Sequence, residues 1–207
     1  MATLLHIEVS PMGENSVSRK VSNEYLEAAR AAGREVITRD LNADPVPHLD
    51  AEAIFAGYTP EDQRSESAAA KWNYRMDLIK EITGVDEILI STPMWNWTIP
   101  SVLKAYIDQI VVPGVLDGSG ADGLKGKKVT FVVAQGGSYA PGAPRHGWDY
   151  TTGYLELVAK ALGATDVQVI LAELTFADII ESMKPLKPKA DESFANAVTA
   201  AKERAAA

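Results

Sequence analysis

The chain has 207 residues, 46% of them hydrophobic and 23% charged, and 28 acidic against 20 basic side chains give a net charge of -8. That apolar share can offset the entropy of ordering the backbone, which excludes general disorder, and at ~100–200 residues per domain the length suits a single domain over residues 1–207. The absence of cysteine rules out disulfides, zinc-thiolate sites, iron-sulfur clusters and Cys nucleophiles, and the acidity argues against a nucleic-acid binder, which needs clustered Lys and Arg.

Leu4, Leu5, Ile7 and Val9 form an apolar run of strand length ending at Ser10, followed by a polar turn through Pro11, Gly13 and Asn15. From Ser18 the apolar positions Val21, Tyr25, Ala28, Ala29 and Ala32 recur at three and four, and Gly33 stands where a helix stops. A strand is predicted over Glu35–Asp40, then a loop punctuated by Pro45 and Pro47, then one long amphipathic stretch from about Glu61 to Thr83. Glu87–Ser91 is strand-like and Pro93 stops it. Pro100 suits a helix start, because its missing donor is one the first turn leaves unpaired anyway, and Val102, Leu103, Tyr106, Ile107 and Ile110 form that helix's apolar face. Val129–Ala134 is almost continuously apolar, as in a parallel strand covered on both faces. Tyr154–Leu162 reads as helix, Asp166–Ala172 as the fifth strand and Ala190–Arg204 as a terminal helix.

Five strands alternating with helices require crossover connections, so the sheet is parallel and the fold α/β, doubly wound with helices on both faces. Ligands in such folds bind at the carboxyl ends of the strands, near a switch in strand order. No run approaches the ~18–20 apolar residues of a membrane span, and the segment from Met1 lacks a basic leader and a long apolar region. The expectation is a cytoplasmic protein with neither membrane nor nucleic acid as partner.

The loops after the first, third and fourth strands have unusual composition. The first runs from Ser10 to Ser16, Val17 and Ser18 and opens a helix whose first turn carries Arg19 and Lys20. Hydroxyls and unpaired amides at a helix N-terminus can hold a phosphate; an ordinary Ser cap is the plainer alternative. In the second, Pro93, Met94, Trp95, Asn96 and Trp97 lie before Pro100. Prolines restrict this backbone, so the amides of Asn96 and Trp97 can be held in place while Met94 and the indoles offer flat, polarizable surface to a heteroaromatic ligand. The same composition would also suit a loop pinned to the core by its aromatics. The third is Ala134, Gln135, Gly136, Gly137, followed by Tyr139, Arg145, His146 and Trp148. Its glycines permit close approach of backbone to a ligand, or simply a turn.

Other patterns carry no chemistry. Gly118 to Gly123 matches G-x-G-x-x-G, but it precedes a strand instead of following one and reads as a surface turn. His6, His48 and His146 show no metal-ligand spacing, and His6 within the first strand is expected to be a satisfied core residue.

This set of three loops resembles the FMN-dependent NADH:quinone and azo-dye reductases of flavodoxin-like fold. The resemblance spans essentially the whole chain, including Arg39-Asp40-Leu41 with nearby Pro47 and the stretch Pro100 to Lys104. The family's Pro-Met-Tyr-Asn-Phe segment, which holds the isoalloxazine, corresponds to Pro93 through Trp97, with Trp at both aromatic positions. Its phosphate-binding serines fall on Ser10, Ser16 and Ser18. Its Ser-Arg/x-Gly-Gly loop falls on Ala134 to Gly137, where the hydroxyl is lost. The resemblance implies an FMN enzyme that accepts a hydride from NADH or NADPH and passes two electrons to a quinone or azo acceptor by a ping-pong route. The flavin carries the reaction, so no side chain need serve as nucleophile or dedicated acid. It also implies a homodimer whose acceptor pocket is partly built by the second subunit, with Tyr139, Arg145, His146 and Trp148 as pocket candidates. A one-electron flavodoxin-type carrier is the other reading, since an acidic surface suits docking to basic partners.

Overall fold

A computed structural model describes residues 2–118 and 123–207. Its strands are β1 (Thr3–Glu8), β2 (Glu35–Asp40), β3 (Glu87–Pro93), β4 (Lys128–Ala134) and β5 (Asp166–Ala172), and its helices are α1 (Val17–Ala31), α2 (Ala51–Ala56), α3 (Glu66–Thr83), α4 (Ser101–Ile110), α5 (Thr151–Ala161) and α6 (Lys187–Ala206). All strand pairs are parallel and the sheet order is β2-β1-β3-β4-β5. Strand order reverses between β1 and β3, so the loops leaving these neighbouring strands diverge and open a crevice.

Alternation along the strands divides the core. Leu5, Ile7, Ile88, Ile90 and Phe131 pack with Leu78, Leu103, Tyr106 and Leu155 from α3, α4 and α5. On the other face Leu4, Leu89, Val132 and Ile170 meet Val21 and Tyr25 of α1 and Ala197 and Ala201 of α6. The three central strands are buried on both faces, whereas β2 and β5 are partly exposed edges. Among the described residues no helix is long and apolar enough to cross a membrane.

Several element boundaries depart from the sequence reading for local reasons. The stretch expected to be helical from Glu61 opens as a short 3-10 turn, and α3 begins after Ser65, whose side chain accepts from the Ala68 amide at 3.0 Å. Helix α2 was not anticipated: it has six residues, too few for a periodic pattern, and is set by the Asp50 cap on Ala53. Helix α5 starts at Thr151 because Asp149 accepts from the amides of Thr151 and Thr152 at 2.8 and 3.0 Å. Gly118 and Gly123 do more than make a surface turn. Both have positive φ, and a Cβ on either would collide with the carbonyl of Ala161 or Leu162 at the end of α5; Ser119 to Asp122 of that segment, like Met1, lie outside the described residues.

Arg75 joins three helices. It is 3% exposed and donates from Nε to the Gln109 carbonyl at 2.9 Å, from Nη1 to Ala53 at 3.2 Å, and from Nη2 to Asp108 and Val111 at 3.3 and 3.2 Å. One guanidinium on α3 thus satisfies carbonyls that the C-terminal end of α4 leaves open, and one from α2.

Candidate active site

The loop after β3 is a two-residue hairpin. Trp95 and Thr98 exchange both backbone hydrogen bonds, at 2.9 and 3.1 Å, and the central Asn96 and Trp97 have φ of 49° and 68°. Positive φ at both central positions is what a type I′ turn requires, and Asn-Gly is its usual sequence. Trp in that conformation costs ~1–2 kcal/mol, and such strain collects at functional sites. The hairpin, more than the flanking prolines, therefore sets the Asn96 and Trp97 amides. It also turns both indoles outward: Trp95 and Trp97 are 43% and 40% exposed, so neither is a core anchor.

The loop after β4 is held from below. Gln135 is buried; its amide donates to the Ala172 carbonyl at 2.8 Å and its Nε2 to Asp149 Oδ2 at 2.8 Å. Since Asp149 also caps α5, Gln135 sets the far end of the loop that carries residues 138–148 and does not face the cavity. Tyr150 donates its amide to the Trp97 carbonyl at 3.0 Å, and Trp148 meets Trp97 edge-on with ring centroids 5.5 Å apart. His146 Nδ1 bonds the Tyr139 carbonyl at 3.2 Å, which closes the loop on itself. The Gly136 carbonyl accepts from the Phe176 amide at 3.2 Å, and a Cβ on Gly136 would stand 2.6 Å from the Phe176 ring. Glycine is needed there so that the ring can lie against the backbone. No described residue accepts from the amides of Gly136 or Gly137.

Between these loops opens a cavity of about 1010 Å³. Met94, Trp95, Asn96, Trp97, Gly136, Gly137, Tyr139 and Arg145 reach its wall; Pro93, Ala134, Gln135, His146 and Trp148 do not line it. A further part of the wall was missed by the sequence reading: Leu174, Phe176, Ile180, Met183, Leu186 and Lys189, from the 3-10 turns after β5 and the start of α6. A signal existed, because the rule that sites lie at strand carboxyl ends applies equally to β5, and apolar Leu174, Phe176, Ile179 and Ile180 follow it with neither strand nor helix spacing.

The serine loop lies at the end of the neighbouring strand, outside the cavity wall. Ser10, Ser16 and Ser18 are buried; Ser16 Oγ accepts from the Arg19 amide at 3.2 Å and stands 3.1 Å from Ser18 Oγ. Ser16 is thus the α1 cap, yet the amides of Val17 and Ser18 have no acceptor among the described residues. Beneath the loop, Glu8 Oε1 accepts from the Ser10 amide at 3.0 Å and Oε2 from Ser91 Oγ at 3.0 Å, with Arg19 Nε at 3.4 Å and Arg19 Nη2 reaching Asp40 at 3.2 Å. Burial pushes the Glu8 carboxyl above its usual range, against the pull of the Ser10 amide, Arg19 and Ser91.

His6 is not the fully satisfied core residue expected. It is 2% exposed, with Nε2 2.9 Å from Ser91 Oγ and Nδ1 without a partner among the described residues. Because the Ser91 hydroxyl donates to Glu8, Nε2 carries the ring proton and Nδ1 is a bare acceptor. Burial, reinforced by Arg19 and Arg30, lowers its pKa to about 4. The ring is therefore neutral near pH 7, and its 3.8 Å approach to Glu8 is no ion pair at that pH.

A five-stranded parallel sheet in this order, with its crevice at the carboxyl ends beside the β1/β3 switch, defines a flavodoxin-like protein. A family model described as flavodoxin-like fold matches residues 2–204. The chain is 42% identical over 209 residues to the FMN-dependent NADH:quinone oxidoreductase of Frankia casuarinae, covering 99% of each. It is 40% identical over 210 residues to that of Streptomyces coelicolor, covering 98% of this chain and 95% of the relative. The crystal structure of an azoreductase from Bacillus anthracis str. Sterne shares the fold, with a TM-score of 0.86 at 22% identity over 100% of this chain and 99% of that one. The chain belongs to the flavodoxin-like family that contains the FMN-dependent NADH:quinone oxidoreductases.

Proposed function

We propose that the chain is an FMN-dependent NAD(P)H oxidoreductase acting on quinones and azo compounds in the cytoplasm. The observation that carries this reading is a pair of unbonded amide sets at neighbouring strand ends: Gly136 with Gly137 in the wall of a cavity bordered by Trp95 and Trp97, and Val17 with Ser18 on the serine loop beyond that wall. Those groups fit FMN, with anion-holding amides and hydroxyls at one end and flat apolar walls at the other. FMN held there would supply two-electron hydride chemistry between a nicotinamide donor and the acceptor. Ser10, Ser16, Val17 and Ser18 would hold its phosphate, Pro93 to Trp97 would orient its ring, and Ala134 and Gln135 would set the Gly136 and Gly137 amides toward the pyrimidine edge, where negative charge grows. Apolar Trp148, Tyr150, Ile179 and Ile180 remain exposed near the cavity, which supports a homodimer that completes the acceptor pocket.

One cavity must take donor and acceptor in turn, so parallel lines are expected in a two-substrate steady-state analysis. Anaerobic mixing of FMN-loaded protein with NADH should bleach the flavin on the time scale of turnover. Intersecting lines would overturn the ping-pong order; recovery of FAD, or no reduction by either nucleotide, would overturn the enzyme reading and leave a carrier.

Trp97→Phe tests the pocket wall. Shortening an indole in the cavity should raise kcat/KM for bulky azo dyes relative to small quinones, with FMN affinity changed by no more than ~1–2 kcal/mol. An unchanged ratio accompanied by a lower melting temperature would mean that Trp97 serves packing alone.

A further inference from the structure

A buried carboxylate lies directly beneath the serine loop. Glu8 is 2% exposed, and its two oxygens accept from the Ser10 amide and from the Ser91 hydroxyl, each at 3.0 Å. Ser91 Oγ stands 2.9 Å from His6 Nε2, so three buried side chains form one hydrogen-bonded chain, which ends at the His6 Nδ1 left without a partner among the described residues. The charged groups facing Glu8 are Arg19 of α1, at 3.4 Å, and Asp40 of β2, which Arg19 also pairs at 3.2 Å. Its own strand adds His6, neutral near pH 7, and β3 adds only the Ser91 hydroxyl; Glu14 and Lys20, nearby in the chain, are exposed to solvent. One guanidinium between two carboxylates leaves the cluster with a negative charge in excess. A phosphate monoester brings ~1.5–2 more at pH 7. A like charge brought onto the loop disfavours ionisation of the carboxylate beneath it, and burial already favours the neutral carboxyl.

We propose that Glu8 is a positioning residue of the serine loop that takes up one proton when the phosphate of FMN binds, and that the proton arrives along the chain His6–Ser91–Glu8. The proposal rests on the serine loop being the phosphate site. One proton enters and none leaves: a proton from solvent is bound at His6 Nδ1, the Nε2 proton passes to Ser91 Oγ, and the Ser91 hydroxyl proton passes to Glu8 Oε2. The imidazole is neutral before and after, with its proton moved from Nε2 to Nδ1. Both hydrogen bonds of the chain are kept with their direction reversed, Glu8 donating to Ser91 and Ser91 to His6. Glu8 Oε1 still accepts from the Ser10 amide, so the loop keeps its place while the charge beneath it is removed. Affinity for the phosphate-bearing flavin therefore gains as pH falls, and riboflavin, the same ring without phosphate, shows no such gain.

Glu8→Gln copies the protonated carboxyl, since its amide oxygen can accept from Ser10 and its amide nitrogen can donate to Ser91. Flavin-free, full-length parent and variant are titrated with FMN and with riboflavin between pH 8 and pH 6, following flavin fluorescence. The variant should bind FMN more tightly than the parent at pH 8, and that advantage should shrink about 10-fold by pH 6, which corresponds to a mean uptake of about half a proton per FMN by the parent. The riboflavin ratio should stay flat. A second measurement needs no substitution at Glu8: nitrogen NMR of the labelled His6 ring, its signals assigned by their loss in His6→Gln, should show the ring proton moving from Nε2 to Nδ1 when FMN binds and staying on Nε2 with riboflavin. An FMN ratio independent of pH, a riboflavin ratio with the same pH dependence, or a His6 ring that keeps its proton on Nε2 in the FMN complex would each overturn the proposal and leave the FMN reading standing. Failure of both proteins to bind FMN at any pH would overturn that reading, and the proposal with it.

Discussion

Replacing Arg75 by Leu should destabilise the protein by ~3–5 kcal/mol, the largest single-residue loss expected outside the apolar core. Buried charges can sometimes be exchanged for apolar residues at no cost, but that holds when both partners are removed together. Here the partners are backbone carbonyls of Ala53, Asp108, Gln109 and Val111, which no side-chain substitution at Arg75 can remove. Leu would fill part of the space and leave those acceptors without their donors. Arg75→Lys offers a charge but a single nitrogen, so it should recover part of the loss. The consequence reaches the site because α4 starts at Ser101, three residues after the Trp95–Thr98 hairpin closes, and Arg75 anchors its far end. Urea denaturation at pH 7 measures the effect; a loss below about 1 kcal/mol would show that water substitutes for the guanidinium.

The second large effect is in the acid range. The His6 pKa falls from 6.5 to about 4 on folding, so the folded state favours the neutral ring. The associated stability is fully present above pH 6.5 and is lost as pH falls toward 4, at ~1.4 kcal/mol per pH unit and ~3 kcal/mol in total. Glu8 acts in the opposite sense: its raised pKa means that stability it contributes at low pH is lost as pH rises above the ordinary carboxylate range, which blunts the His6 limb. His6→Gln removes the titration and keeps a donor that can face Ser91. Unfolding free energies at pH 7, 6 and 5 should therefore converge between variant and parent as pH falls. Parallel curves would mean that His6 titrates alike in both states. Because Ser91 and Glu8 connect His6 to the Ser10 amide, the same acid range should loosen the serine loop.

Strands were legible wherever the residues themselves carried the pattern. Glu35–Asp40 and Asp166–Ala172 fall where the sequence places them, because composition and alternation are properties of the local chain. The Trp-rich segment and the paired glycines were legible as candidates for the same reason, and topology placed them at one edge of the sheet.

Three features were not legible, each because it depends on a partner distant in sequence. Gln135 looked like a member of the ligand loop, but its amide is taken by Asp149. Arg75 lies within the stretch read only as one amphipathic helix, yet it is buried because α2 and α4 both end against it. Phe176 and Lys189 became part of the cavity when the turns after β5 folded back across Gly136.

By itself, the sequence determined that this is a parallel α/β protein without cysteine chemistry, with a serine loop, an aromatic loop and a glycine loop at strand ends; these follow from periodicity, turn residues and composition. Tertiary structure alone decided which way the Trp95 and Trp97 indoles face, which polar groups are consumed in supporting the loops, and which cations border the cavity. Side-chain direction and hydrogen-bond partnership are set by what other elements bring within a few ångströms, and that proximity exists only once the sheet and its helices have packed.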